Sequence, residues 1–125
     1  MYKEYADVSN EIWADTERKD YPADLWYNLN CNDICLDLLG NVCDGKRVLS
    51  IGGGFWSEKA LLKDIKAEKI VITDIVADAG VQEEDVTALS FTDNSYDVVI
   101  CRELIEHVLD VNTAFSEIRR VLNPG

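Results

Sequence analysis

From Arg47 onward, short apolar runs alternate with stretches in which apolar residues recur every three or four positions. The first pattern predicts buried strands and the second predicts helices with one inward face. "RVLSI" predicts a strand over 47–51, and "SEKALLKDI" a short helix with Ala60, Leu61, Leu62 and Ile65 inward. "KIVITDI" predicts a second strand, and "ADAGVQEED" a turn holding at most a short strand around Val81. "SYDVVIC" is apolar enough for a strand covered on both faces. "VNTAFSEIRRVL" predicts a helix with Val111, Ala114, Phe115, Ile118 and Leu122 on one face. Strands alternating with helices imply an α/β fold, a doubly wound and mostly parallel sheet with right-handed crossovers.

Residues 1–46 carry no strand signal. Over 28–42 the spacing places Leu29, Ile34, Leu38 and Leu39 near one helical face, and Gly40 followed by Asp44-Gly45 stops the helix. Trp13, Tyr21, Trp26 and Tyr27, ahead of it, could form a lid, but packing on the sheet is the expected role. The 125 residues form a single domain, with a helical N-terminal segment over 1–46 and an α/β core over 47–125.

Twelve basic against twenty-four acidic residues leave a net charge of −12, which repels nucleic-acid phosphates and anionic lipid. Neither nucleic acid nor membrane is an expected partner. The charged opening "MYKEYADVSNEIWADTERKD" is unlike a signal peptide, and no apolar run spans a bilayer, so the cytoplasm is the expected location. Cys31, Cys35, Cys43, Cys101 and the sole histidine, His107, lack the spacing of a zinc site, and no metal is expected.

"VLSIGGGFWS" carries the chemistry. A strand runs into Gly52, Gly53 and Gly54 and leaves into a helix, the way a parallel sheet receives an adenosine-type cofactor. Glycines alone could equally make a tight turn without a ligand, and a strand-end aspartate is often only a cap. Asp74, however, stands twenty residues after Gly54, the spacing at which a carboxylate grips ribose hydroxyls. A nicotinamide fingerprint fails because its third glycine is Ser57, and the turn contains no phosphate-binding lysine.

The segment "EEDVTALSFTDNSYDVVICRELIEHVLDVNTAFSEIRRVLNPG" closely resembles the class I S-adenosylmethionine-dependent methyltransferases, in particular the small-molecule type 11 group. The resemblance runs from about Arg47 to Gly125 and implies a Rossmann-like methyltransferase fold that stops after the fourth strand. It implies that Gly52, Gly53 and Gly54 hold the methionine and ribose part of S-adenosylmethionine and that Asp74 binds the ribose hydroxyls. Asp85 would accept from the adenine amino group, with Val86 beside it, and Cys101 and Arg102 would border the methyl donor. Glu106 and His107 are the candidates for proton transfer, although in the family such a pair mostly serves geometry.

Several positions depart from the family pattern. Ser50 stands where a first-strand carboxylate usually helps to organise the cofactor's ammonium end, and Trp56 stands where a third glycine is usual. Ten residues between Asp74 and Asp85 are too few for the usual second helix and a full third strand. The sequence closes at Pro124-Gly125, where the family begins its fifth strand, which would leave Tyr96–Cys101 at an edge. A second copy in a homodimer, or another chain, is expected to cover it. The function implied is methyl transfer to a small-molecule acceptor; the alternative is a non-catalytic, truncated or split domain that regulates or completes a partner.

Overall fold

The computed structural model describes residues 34–125, except Phe55, Asp78 and the side chains of Trp56, Ser57 and Ala60. The expectations for Leu29, for Trp13, Tyr21, Trp26 and Tyr27, and for the inward Ala60 lie outside the described residues.

Helix α1 is described over 34–42 and ends as Cys43 N–H donates to the Leu39 carbonyl at 2.9 Å. Strand β1 (Arg47–Ile51) leads into α2 (Trp56–Leu62), then β2 (Lys69–Asp74), β3 (Gln82–Glu83) and β4 (Val98–Cys101). A 3-10 turn (Ile105–His107) precedes α3 (Val111–Val121). The four strands are parallel, in the order β3-β2-β1-β4, so β1 is central and the sheet winds outward from it in both directions. This is the expected Rossmann-like architecture. With so few residues available after Asp74, β3 contributes only the pairs Thr73–Gln82 and Asp74–Glu83.

The side-chain alternation of β1 divides the core. Leu49 and Ile51 pack with Val86, Leu89, Tyr96, Leu104, Ala114 and Val121 on the α3 face. Val48 packs with Cys43, Leu62, Ile65 and Ile100 on the α1 and α2 face. β4 serves both clusters, Val99 and Cys101 on one side and Val98 and Ile100 on the other, as an apolar strand covered on both faces should.

Two helical faces differ from expectation. In α1, Leu36 and Leu39 pack on the sheet, while Ile34 and Leu38 are 60 % and 66 % exposed. Among the described residues, the helix contacts the core through Leu36 and Leu39, while Ile34 and Leu38, four residues apart on its other side, face water. In α3, Ala114 and Val121 are buried, with Val111 and Ile118 against them, but Phe115 is 54 % exposed. Leu122 leaves the helix with ψ of 134° and enters a parallel bridge with Tyr96, so it extends the sheet and does not continue the helical stripe.

Polar staples fix the strands' entry and exit. Arg47 donates from its backbone N and Nε to Asp97 Oδ2 (2.9 and 3.0 Å) and from Nη2 to Oδ1 (2.8 Å), clipping the start of β1 to that of β4. These bonds hold the Asp97 carboxyl well below the usual carboxylate range. Arg120 on α3 donates to the Leu89 and Phe91 carbonyls and pairs with Glu117 and Asp93, tying the loop before β4 to the helix.

Candidate functional site

The glycine turn leaves β1 at the carboxyl end of the sheet, beside the ends of β2 and β4. Gly52, at φ +76°, and Gly53 both donate their N–H to the Thr73 carbonyl (2.8 and 3.0 Å), so the chain folds back over the end of β2. Gly54 N–H then donates to Asp74 Oδ2 at 2.9 Å. A Cβ at position 54 would lie 2.7 Å from that oxygen, so glycine is what allows the carboxylate to approach the backbone. The glycines and Asp74, twenty residues apart, form one rigid unit.

Pairing of β2 with β3 carries the second carboxylate to the same end. Glu84 N–H donates to the Asp74 carbonyl at 2.8 Å, which places Asp85 just past the tip of β2. Asp85 Oδ1 accepts from Thr87 N (2.8 Å) and Thr87 Oγ1 (2.7 Å), which fixes an otherwise exposed side chain. The Val86 side chain is buried in the α3-face core, so only its backbone can face a ligand beside Asp85.

Across the turn, Cys101 ends β4 in register with Ile51, and Arg102 follows. Burial, helped by the charge of Glu58, pushes the Cys101 thiol up to about 11, so it is neutral and no nucleophile at physiological pH. The backbone then turns sharply at Glu103, whose φ is +51°, before Leu104 packs under Gly52. Such a left-handed position costs of order 1 kcal/mol or more and is held by its surroundings. Glu106 and His107 are exposed on the 3-10 turn beyond it. The structure therefore gathers Gly52, Gly53, Gly54, Asp74, Cys101 and Arg102 at one end of the sheet, with Asp85 adjacent and Glu106 and His107 exposed on the turn that follows β4.

One charged residue of the site escaped the sequence reading. Glu58, 5 % exposed, accepts from Ser50 Oγ through Oε1 and from Arg102 Nη1 through Oε2, both at 2.9 Å. Its signal was present in α2: Glu58, Leu61, Leu62 and Ile65 share the i, i+3, i+4, i+7 spacing of the buried face. The serine on an otherwise apolar central strand marks the place it reaches.

A family model for a methyltransferase domain matches residues 57–125. The chain belongs to the methyltransferase domain family. The glycine turn lies just ahead of the matched stretch and takes its place in the site from the geometry above. Solved structures share the domain's fold. Phosphoethanolamine N-methyltransferase 2 from Haemonchus contortus, in complex with phosphomonomethylethanolamine and S-adenosylhomocysteine, is 27 % identical with a TM-score of 0.63, over 77 % of this chain and 26 % of that one. A S-adenosylmethionine-dependent methyltransferase from Aquifex aeolicus is 19 % identical with a TM-score of 0.64, over 84 % and 64 %. The YcgJ protein of Bacillus subtilis is 24 % identical with a TM-score of 0.61, over 73 % and 47 %. The methyltransferase domain thus spans between about a quarter and two thirds of the length of these proteins. Among curated proteins none matches.

Proposed function

We propose that this domain is a cytoplasmic S-adenosylmethionine-dependent methyltransferase that acts on a small-molecule acceptor. The observation that carries the reading is the Asp74 carboxylate, locked by the Gly54 N–H beside a glycine turn at the carboxyl end of parallel strands. Ligands of doubly wound sheets bind outside those ends, where neighbouring crossovers diverge from the central strand.

The residues present fit the cofactor. A ribose diol needs acceptors and an adenine amino group needs one more; Asp74 and Asp85 supply both, and no phosphate has to be neutralised. Asp85 Oδ2 has no partner among the described residues. S-adenosylmethionine, when bound, supplies an electrophilic methyl group on a sulfonium. The chain's contribution is placement: Asp74 and the glycine turn would fix the ribose and methionine part, and the Leu104 side chain packs against Gly52 to support the turn. In-line displacement depends on such positioning more than on acid–base groups. A small acceptor is supported by the Haemonchus contortus enzyme, whose complex contains a phosphobase. Cytoplasmic placement is supported by the charged opening of the sequence, which is unlike a signal peptide.

Calorimetric titration with S-adenosylmethionine and S-adenosylhomocysteine tests the reading, with dissociation constants of about micromolar order expected. Absence of binding to well-folded protein would instead favour the non-catalytic, partner-completing role.

We further propose that the outer side of β4 pairs with a strand of a second copy or of another chain. The support is its position as the outer strand; the Tyr96 N–H and carbonyl are already taken by Val121 and Asn123, so the pairing would run along Val98–Cys101. Slow amide exchange along Val98–Ile100 together with a dimeric sedimentation coefficient is the expected result. A monomer exchanging rapidly there excludes it.

A further inference from the structure

Beneath the glycine turn lies a charge pair for which the packing of the fold has no need. Glu58 is carried by α2, Ser50 by β1, and Arg102 by the segment after β4. The three meet where a Cβ on Gly53 would fall 2.9 Å from both Glu58 Cγ and Ser50 Oγ, so the Glu58 side chain packs directly against the turn, with its carboxylate held by Ser50. Removing a carboxylate and a guanidinium from water is expensive, and apolar residues of the same volume would hold three elements together at least as well. The neighbouring positions on the same faces, Val48, Leu61 and Leu62, are indeed apolar. Arg102 keeps 24 % of its side chain exposed, while Glu58 keeps 7 %. The arrangement therefore presents a negative charge under the turn and a positive one beside it.

We infer that Glu58 is the positioning residue for the amino-acid end of the bound cofactor. This rests on the S-adenosylmethionine reading of the site. The amino-acid end is a zwitterion, an ammonium next to a carboxylate, and the Glu58–Arg102 pair is its electrostatic complement. Glu58 supplies across the turn, from a helix, the negative charge that β1 does not carry at Ser50. It also holds the Arg102 guanidinium in one orientation, because a charge-assisted bond at 2.9 Å fixes direction as well as distance. Both effects act on the amino-acid end and leave the nucleoside end, at Asp74 and Asp85, untouched.

That separation supplies the test. S-adenosylhomocysteine carries the amino-acid end, whereas 5′-methylthioadenosine has the same nucleoside and thioether without it. Glu58→Gln, which keeps the shape and the Ser50 contact, is expected to weaken S-adenosylhomocysteine binding about tenfold or more in calorimetry. Binding of 5′-methylthioadenosine should be unchanged. Adding Ser50→Asp to Glu58→Gln places a carboxylate on the opposite partner of the same hydrogen bond and should restore most of the lost affinity. Equal weakening of both compounds, no weakening of either, or no rescue by Ser50→Asp would each overturn the inference. If Glu58→Gln does not fold by its thermal transition, Arg102→Gln carries the same two-ligand comparison with the same outcomes. A wild-type protein that binds neither compound sinks the cofactor reading itself; one that binds both equally well sinks only the role of Glu58.

Discussion

Asp74→Ala is expected to reduce S-adenosylhomocysteine affinity by about a hundredfold or more while leaving the fold intact. Two losses combine. The carboxylate is the natural acceptor for the ribose hydroxyls, and hydrogen bonds to a charged group contribute roughly 1.5–3 kcal/mol each, with tenfold in affinity for every 1.4 kcal/mol or so. The same side chain also accepts from Gly54 N–H at 2.9 Å and, at the longer distance of 3.4 Å, from Val76 N–H. Without it Gly54 loses its anchor at the end of β2, leaving only Gly52 and Gly53 tied there through the Thr73 carbonyl, and the surface offered to the ligand becomes less ordered. Asp74→Asn, which keeps an oxygen for Gly54 but not the charge, should fall between wild type and alanine. Calorimetry provides the affinities and a thermal melt the control. Undiminished binding by the alanine variant would remove Asp74 from the site and with it the observation on which the proposed function stands.

Most of this geometry was legible in the sequence because it depends on local backbone requirements. Three glycines after a β-branched strand demand a sharp turn, and an aspartate at the end of the next parallel strand arrives next to it by register. Asp85 came from the resemblance to the family and not from local backbone logic, while the short gap after Asp74 leaves no room for a full third strand, and β3 has two residues. Glu58 was not legible in the same way, since its role depends on three elements distant in sequence. A glutamate in "SEKALL" looks like a solvated first-turn residue until the helix is placed against β1, and only then does its spacing with Leu61, Leu62 and Ile65 turn it inward. The misassigned helical faces have a related cause. Phe115 and Leu38 fit an apolar stripe by periodicity, but periodicity does not say which part of a wide stripe the sheet covers. In α3, the departure of Leu122 into an extended bridge with Tyr96 transferred the inward role to Val121. The same bridge pairs on the outer side of Tyr96, at the edge that the resemblance to the family leaves beside its fifth strand.

Leu49→Ala is expected to destabilise the domain by about 2–5 kcal/mol, the range for deleting a buried leucine from a packed core. Leu49 is fully buried at the centre of β1, paired with Val71 on one side and Val99 on the other. Its side chain belongs to the cluster that joins the sheet to α3, so neighbours held by four separate elements line the space it would vacate. Collapse into that space would shift the strand that leads to the glycine turn, which leaves little scope for relaxation. Domains of this size have only about 5–15 kcal/mol to lose, and the thermal midpoint should fall by roughly 10–20 °C. Leu38→Ala removes the same atoms from a site 66 % exposed on α1 and should change stability by no more than about 0.5 kcal/mol. Urea unfolding of the two variants side by side decides the matter. Comparable losses at both positions would mean that α1 packs through the face containing Ile34 and Leu38, as its periodicity suggests, and not through Leu36 and Leu39.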